Sequence, residues 1–191
     1  MMIETADVSS RLLVAYAAVP IAFEVTSVLS ARRAADQSFV LTEHALESPY
    51  VKDYDAIGDG PLDWAARFDT SQWVLFVAQA EGRSLGGATV AFGTSGLDML
   101  EGRRDLAVLW DIRVAPSARR RGVGRALFDA AVDWALARGC RELKVETQNI
   151  NVVACRFYAA LGCELRVVRE DAYPRCQGEA EFLWVKHLNQ R

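Results

Sequence analysis

From Trp73 onward, apolar and polar positions fall into short blocks whose spacing predicts strands alternating with helices. Trp73-Val-Leu-Phe-Val-Ala78 is a continuous apolar run, Glu81-Gly82 has the composition of a hairpin turn, and Leu85 to Phe92 returns, so two antiparallel strands are expected. A polar loop, Gly93 to Arg104, leads to a strand over Leu106 to Val114. Strict alternation there puts Val108, Trp110, Ile112 and Val114 on one face and Leu109, Asp111 and Arg113 on the other. Pro116 and Ser117 end that strand. Helical spacing follows at Val123, Leu127, Ala130, Ala131 and Trp134, and Gly139 is a natural stop. Arg141 to Thr147 alternates as a strand. Asn151 caps a helix whose face is Ala154, Phe157, Tyr158 and Leu161, closed by Gly162. Strands Cys163 to Arg169 and Ala180 to Val185 finish the pattern around a turn at Tyr173-Pro174. This order predicts a mixed α/β sheet, in which the unit from Leu106 to Thr147 crosses over right-handed and sets two strands side by side and parallel.

Residues 1 to about 62 are less periodic. Phe23 to Leu29 alternates like a strand and Phe39 to Leu46 suggests another, while Ser48 to Asp55 is turn-rich and carries tyrosines beside acids. Asp59-Gly60-Pro61 marks a helix start, with Leu62 to Arg67 as a short helix. The apolar run Leu12 to Phe23 contains Pro20 and is too short to span a bilayer; Glu4 and Asp7 precede it, where an export signal places positive charge. A protein of the cytoplasm, without a membrane partner, is expected.

At 191 residues and 51% hydrophobic content, one domain over 1–191 is the expectation. The 22 basic and 25 acidic side chains leave a net charge of −3, which disfavours nucleic acid as a partner. Cys140, Cys155, Cys163 and Cys176 show no metal-ligand spacing, and His44 and His187 lie far from them, so neither a metal site nor a disulfide framework is expected.

The candidate chemistry centres on Arg119-x-x-Gly122-x-Gly124, a glycine-bearing basic turn between a strand and a helix. The unpaired N–H groups and the positive dipole end of a first helical turn form an anion site, and a phosphate is the expected ligand. A dinucleotide fingerprint requires a third glycine where Leu127 stands, and a Walker loop requires Gly-Lys-Ser/Thr, which is absent.

This turn resembles the acyl-CoA signature of the GCN5-related N-acetyltransferase (GNAT) superfamily. A second motif, Glu146-Thr-Gln-Asn-Ile-Asn-Val-Val-Ala-Cys-Arg-Phe-Tyr-Ala-Ala-Leu-Gly162, is similar to that superfamily's Asn-x-x-Ala-x-x-x-Tyr pattern through Asn151, Ala154 and Tyr158; Cys163 stands where Phe is usual. The resemblance covers roughly residues 73 to 187, leaving 1–72 as a variable part on the acceptor side. Its wording, with the Lys52-Asp-Tyr-Asp55 segment, is closest to streptothricin acetyltransferases. The resemblance implies a mostly antiparallel sheet with a central parallel strand pair splayed around acyl-CoA, helices on both faces, and acetyl-CoA as cofactor. It also implies a strand bulge that lets backbone near Ile112, Arg113 and Val114 pair with the pantetheine arm. Backbone N–H groups from Arg120, Arg121, Gly122, Val123, Gly124, Arg125 and Ala126 would hold the pyrophosphate, with Arg119 adding charge. Asn151, with Ala154, would lie along the cofactor arm, and Tyr158 near the thioester sulfur.

An alkylamine with a pKa of about 10.4 must lose a proton before it attacks a thioester, and a departing thiolate is helped by a proton donor. Tyr158 fits the donor. Asp111 and Glu146, acids in the two strands expected to flank the cofactor, are candidates for the base; a same-face pair with Arg113 or Lys144 is the alternative for each. Tyr50, Asp53, Tyr54 and Asp55 form a candidate wall for a cationic acceptor, against an ordinary polar loop. Three functions follow: N-acetylation of a small cationic amine such as a streptothricin-type antibiotic, acetylation of a protein N-terminus or lysine, or acyl-CoA sensing without turnover. Edge strands and the apolar N-terminal segment are compatible with a homodimer.

Overall fold

The computed structural model describes residues 1–9, 11–58, 60–174, 176 and 178–189. In chain order the strands are β1 (Met2–Ala6), β2 (Phe23–Arg33), β3 (Phe39–Lys52), β4 (Val74–Ala80), β5 (Arg83–Ala91), β6 (Leu106–Val114), β7 (Glu142–Gln148), β8 (Glu164–Arg169) and β9 (Glu181–His187). The helices are α1 (Leu12–Ala17), α2 (Trp64–Arg67), α3 (Val123–Ala137) and α4 (Val152–Ala160). Contacts gather these elements into two compact units: Met1–Ile21, Tyr54–Leu143 and Leu188–Arg191 in the first, Ala22–Asp53 and Lys144–His187 in the second.

The first unit is built on four antiparallel strands in the order β1-β4-β5-β6. The β4–β5 hairpin turns at Glu81 and Gly82, both left-handed (φ 52° and 71°), as a tight hairpin turn requires. α3 packs on β4, β5 and β6 through Val123, Leu127, Phe128, Ala131 and Ala135. Phe128 and Ala135 replace Ala130 and Trp134 of the expected face; Trp134 is half-buried, with the Arg138 guanidinium 3.6 Å from its ring centroid. A core of Val8, Leu13, Tyr16, Trp64, Trp73, Leu75, Val77 and Val108, with Trp110 at its edge, gathers α1, α2 and the strands.

One irregularity in this unit sets the site. Thr89 pairs with Asp111 but the next residue, Val90, pairs with Leu109, so Trp110 is an extra residue in β6. This is the expected bulge, placed ahead of Ile112 to Val114. It also corrects the strict alternation: past the extra residue Asp111 and Arg113 meet Tyr16, a member of the same core as Val108.

In the second unit β7, β9 and β8 lie in that order, β8 and β9 antiparallel, and β2 pairs with β3 as a separate hairpin. The turn-rich reading of Ser48 to Asp55 holds only past Lys52. Val25 pairs with Tyr50 and Ser27 with Ala45, so β3 carries extra residues that include Pro49, and the strand continues beyond them. Such an irregularity lets a strand contain a proline, which has no N–H for the ladder. Asn149 binds this unit together. Its Nδ2 donates to the carbonyls of Leu29 (3.2 Å) and Gly178 (3.3 Å), and its Oδ1 accepts from the Ala180 N–H (2.8 Å). β1 and α1 occupy sequence that showed no clear period. Asp59, read as part of a helix start, lies outside the described residues; Pro61 opens a single 3-10 turn that runs into α2.

Candidate active site

β6 ends at Val114, a 3-10 turn spans Pro116–Ala118, and the chain reaches α3 through Arg119 to Gly122. Arg120 and Gly122 are left-handed, φ 62° and 84°, and the N-cap position, Gly122, makes no side-chain capping bond. The first intrahelical bond is Ala126 N–H to Gly122 C=O, at 3.0 Å. The N–H groups of Val123, Gly124 and Arg125 therefore stand at an uncapped positive helix end, beside the exposed side chains of Arg120 and Arg121. Left-handed residues in such a turn help curl backbone N–H groups toward a common anion. Arg119 Nε donates to the Val114 carbonyl at 3.1 Å and ties the turn back to the strand end. These residues fit a pyrophosphate.

Asp111, Arg113 and Asp55 come together. Arg113, only 3% exposed, donates from Nη1 and Nη2 to the two oxygens of Asp55 (2.6 and 2.9 Å), and from Nε and Nη2 to Asp111 (3.0 and 2.7 Å to Oδ2). Tyr16 donates to Asp111 Oδ1 at 2.5 Å, and the Val19 carbonyl accepts from Arg113 at 3.3 Å. Burial pushes the Asp111 carboxyl up, while Arg113 and the Tyr16 hydroxyl pull it down. Both Asp111 oxygens are thus engaged, Oδ1 by Tyr16 and Oδ2 by Arg113. The Asp111–Arg113 pair named as the alternative for Asp111 is present, and Asp55 and Tyr16 extend it.

Glu146 differs. Tyr173 donates to its Oε1, and Gln148 Nε2 donates to the same oxygen at 3.3 Å and to the Tyr173 oxygen at 3.1 Å. Burial raises the Glu146 carboxyl above the ordinary glutamate range, against the lowering effect of the Tyr173 hydroxyl. Asn151 caps α4 as expected, its Oδ1 accepting the Ala154 N–H at 3.1 Å. Tyr158 is 3% exposed on the buried side of α4 with Val152 and Cys155, its ring edge-on to Phe157.

The residues of the expected acceptor wall are divided between the two units, Tyr50 and Asp53 in the second, Tyr54 and Asp55 in the first. Tyr50 is an exposed β3 residue; its phenol is raised by burial and by Glu179, the partner of Lys52. Asp53 follows β3, and the Tyr54 carbonyl accepts from Ile57 and Gly58 N–H in a turn that presents Asp55 to Arg113. Sequence reading missed Tyr16, Tyr173 and Asn149. Gln148 carried a signal, since residues two apart in a strand share a face; Tyr16 and Tyr173 carried none. All four cysteines are free, and burial pushes the Cys155 and Cys163 thiols up to about 11, which leaves them protonated and poorly nucleophilic at neutral pH.

The model of the Acetyltransferase (GNAT) family matches residues 39–163, well over half of the chain. The chain belongs to the GNAT acetyltransferase family. Among curated relatives, Streptothricin acetyltransferase of Escherichia coli is 30% identical over 78% of this chain and 76% of its own length. Streptothricin acetyltransferase A of Bacillus subtilis (strain 168) is 31% identical over 62% of this chain, and that match spans 61% of the relative's length. A putative streptothricin acetyltransferase from Bacillus anthracis str. Ames, solved in complex with acetyl coenzyme A, superposes with a TM-score of 0.77 at 19% identity, covering 97% of this chain and 99% of that one. That likeness is one of fold. The mixed α/β, mostly antiparallel class expected from sequence is this GNAT fold. Among the described residues of this GNAT protein, no helix is long and apolar enough to cross a membrane.

Proposed function

We propose that this protein is an acetyl-CoA-dependent N-acetyltransferase acting on a primary amine of a small cationic acceptor of the streptothricin type. The observation that carries the reading is the uncapped start of α3 behind Arg119-Arg120-Arg121-Gly122, a geometry that suits a phosphate, in the turn that resembles the family's acyl-CoA signature. Bound acetyl-CoA supplies the acetyl group as a thioester. The N–H groups from Arg120 to Ala126 and the neighbouring arginines hold its pyrophosphate, the β6 backbone from Ile112 to Val114 lies along the pantetheine arm, and Asn151 and Ala154 border it.

Of the two candidate bases, Glu146 takes the role. Burial lifts both carboxyls toward the range that suits a proton from an ammonium, but both Asp111 oxygens are committed to Arg113 and Tyr16, whereas the hydrogen bonds to Glu146 fall on Oε1. Asp111 instead anchors Arg113 and, through it, Asp55. Tyr158 donates a proton to the departing sulfur. Asp55 keeps a third of its side chain exposed while holding Arg113, and that exposed carboxylate suits an approaching ammonium group. The relatives named for streptothricin support that class of acceptor.

The test is incubation with acetyl-CoA and, separately, streptothricin, spermidine, an aminoglycoside and a lysine-bearing peptide, with acetylated product detected by mass. Product with a small cation supports the reading. Product with the peptide alone replaces it with protein acetylation, and tight acetyl-CoA binding without any product replaces it with a sensor.

A further inference from the structure

Tyr173 follows β8 in the connection to β9, at a turn that the sequence motifs do not reach. Its hydroxyl donates to Oε1 of Glu146, and Gln148 Nε2 closes a three-sided arrangement by donating to that same oxygen (3.3 Å) and to the phenol oxygen (3.1 Å). Among the described residues, both contacts to Glu146 fall on Oε1 and neither on Oε2.

We propose that Tyr173 is a positioning residue for the transfer: with Gln148 it pins Oε1 of Glu146 and leaves Oε2 as the oxygen that takes the proton from the acceptor amine. The proposal rests on the assignment of Glu146 as the base. A glutamate turns about three side-chain torsions, so a carboxylate that must meet a proton in one direction needs an external hold. A stiff aromatic side chain supplies it. The hold also sets when Glu146 is charged, because a hydroxyl donating to a carboxylate favours its ionised form. The other charged groups acting on Glu146 are Glu181 on β9, which opposes its ionisation, and Arg169 on β8, which favours it while paired to Glu181. Tyr173 is the donor that a single substitution removes without changing the charge of the set.

Tyr173→Phe keeps the ring and deletes the hydroxyl. Two quantities are read: the acid limb of kcat/KM with an amine acceptor, and the carboxyl titration of Glu146 followed by carbon NMR in wild type and variant, with Glu146→Gln identifying the resonance. Both midpoints are expected to rise by about one pH unit, the size of one hydrogen bond to a charged group. The KM for acetyl-CoA stays the same, and Gln148→Leu moves both midpoints in the same direction, by less. Unmoved midpoints in a folded, active Tyr173→Phe protein overturn the proposal. If unfolding curves show that Tyr173→Phe does not fold, Gln148→Leu decides on the same two readings. Failure of the N-acetyltransferase reading looks different: the wild-type protein then acetylates no amine at all.

Discussion

Arg113 grips Asp55 through both terminal nitrogens, at 2.6 and 2.9 Å, across 58 positions of sequence. The same guanidinium binds Asp111, so one cation from β6 ties the turn after Tyr54 to the strand that leads into the turn before α3. Arg113→Met strands two carboxylates, one of them buried, and is expected to cost about 3–5 kcal/mol in urea unfolding. Asp55→Asn costs less, since that side chain is one-third exposed. A loss under about 1 kcal/mol for Arg113→Met would mean that the pair is a surface bridge.

Gly87 lies in β5 opposite Arg113, and its missing side chain is where Tyr16 sits: a Cβ there would stand 2.6 Å from the Tyr16 ring and 2.5 Å from the Phe76 carbonyl. Gly87→Ala should therefore cost about 1–3 kcal/mol by overpacking. It should also push Tyr16 from Asp111, seen as a changed tyrosine near-ultraviolet spectrum.

Arg120 and Arg121 are exposed, so replacing both with Ala should leave the unfolding midpoint unchanged. Binding of coenzyme A, measured by calorimetry, should weaken about tenfold or more and lose much of its salt dependence, because charge-assisted contacts to phosphate are screened by salt. Unchanged affinity would move the pyrophosphate away from this turn.

Glu146 supplies a pH dependence with a definite sign. Its folded-state carboxyl is raised by burial, so the protonated form is favoured in the fold. Stability from this group is full below the unfolded glutamate value of about 4.3 and is lost as pH rises through the higher folded value. Activity runs the opposite way, because the base must be ionised: kcat/KM should fall on the acid side at a pH above the ordinary glutamate value of about 4.3. Glu146→Gln should abolish that limb and gain stability relative to wild type as pH rises to neutral.

Tyr158→Phe deletes the proposed proton donor and little volume. It should lower kcat by about a hundredfold or more, within the range of general acid catalysis, while acetyl-CoA affinity holds.

The strands and helices after Trp73 were legible because each buries one face, and the period of that face is written in the residues: β6 runs from Leu106 to Val114 as its pattern indicated, and Asn151 and Gly162 bracket α4. The turn into α3 was legible because its geometry is local, carried by residues adjacent in sequence, with Arg120 and Gly122 left-handed before the uncapped helix start. The long-range side-chain pairs were not. Tyr16 sits in an apolar run and Tyr173 in a turn, and their partners, Asp111 and Glu146, lie 95 and 27 positions away, distances that no local period encodes. The bulge at Trp110 was expected only by resemblance, yet that one extra residue puts Asp111 and Arg113 against Tyr16. β3 was cut short for a similar reason, as Pro49 reads as a break unless the strand is known to carry extra residues beside it.

The most direct measurement is the rate of free-thiol release from acetyl-CoA with a streptothricin-type cation, set against a lysine-bearing peptide at equal amine concentration. The account predicts rapid release with the small cation and at least about a hundredfold lower kcat/KM with the peptide, a margin of roughly 2.7 kcal/mol at the transition state. Equal rates, or release only with the peptide, would contradict it.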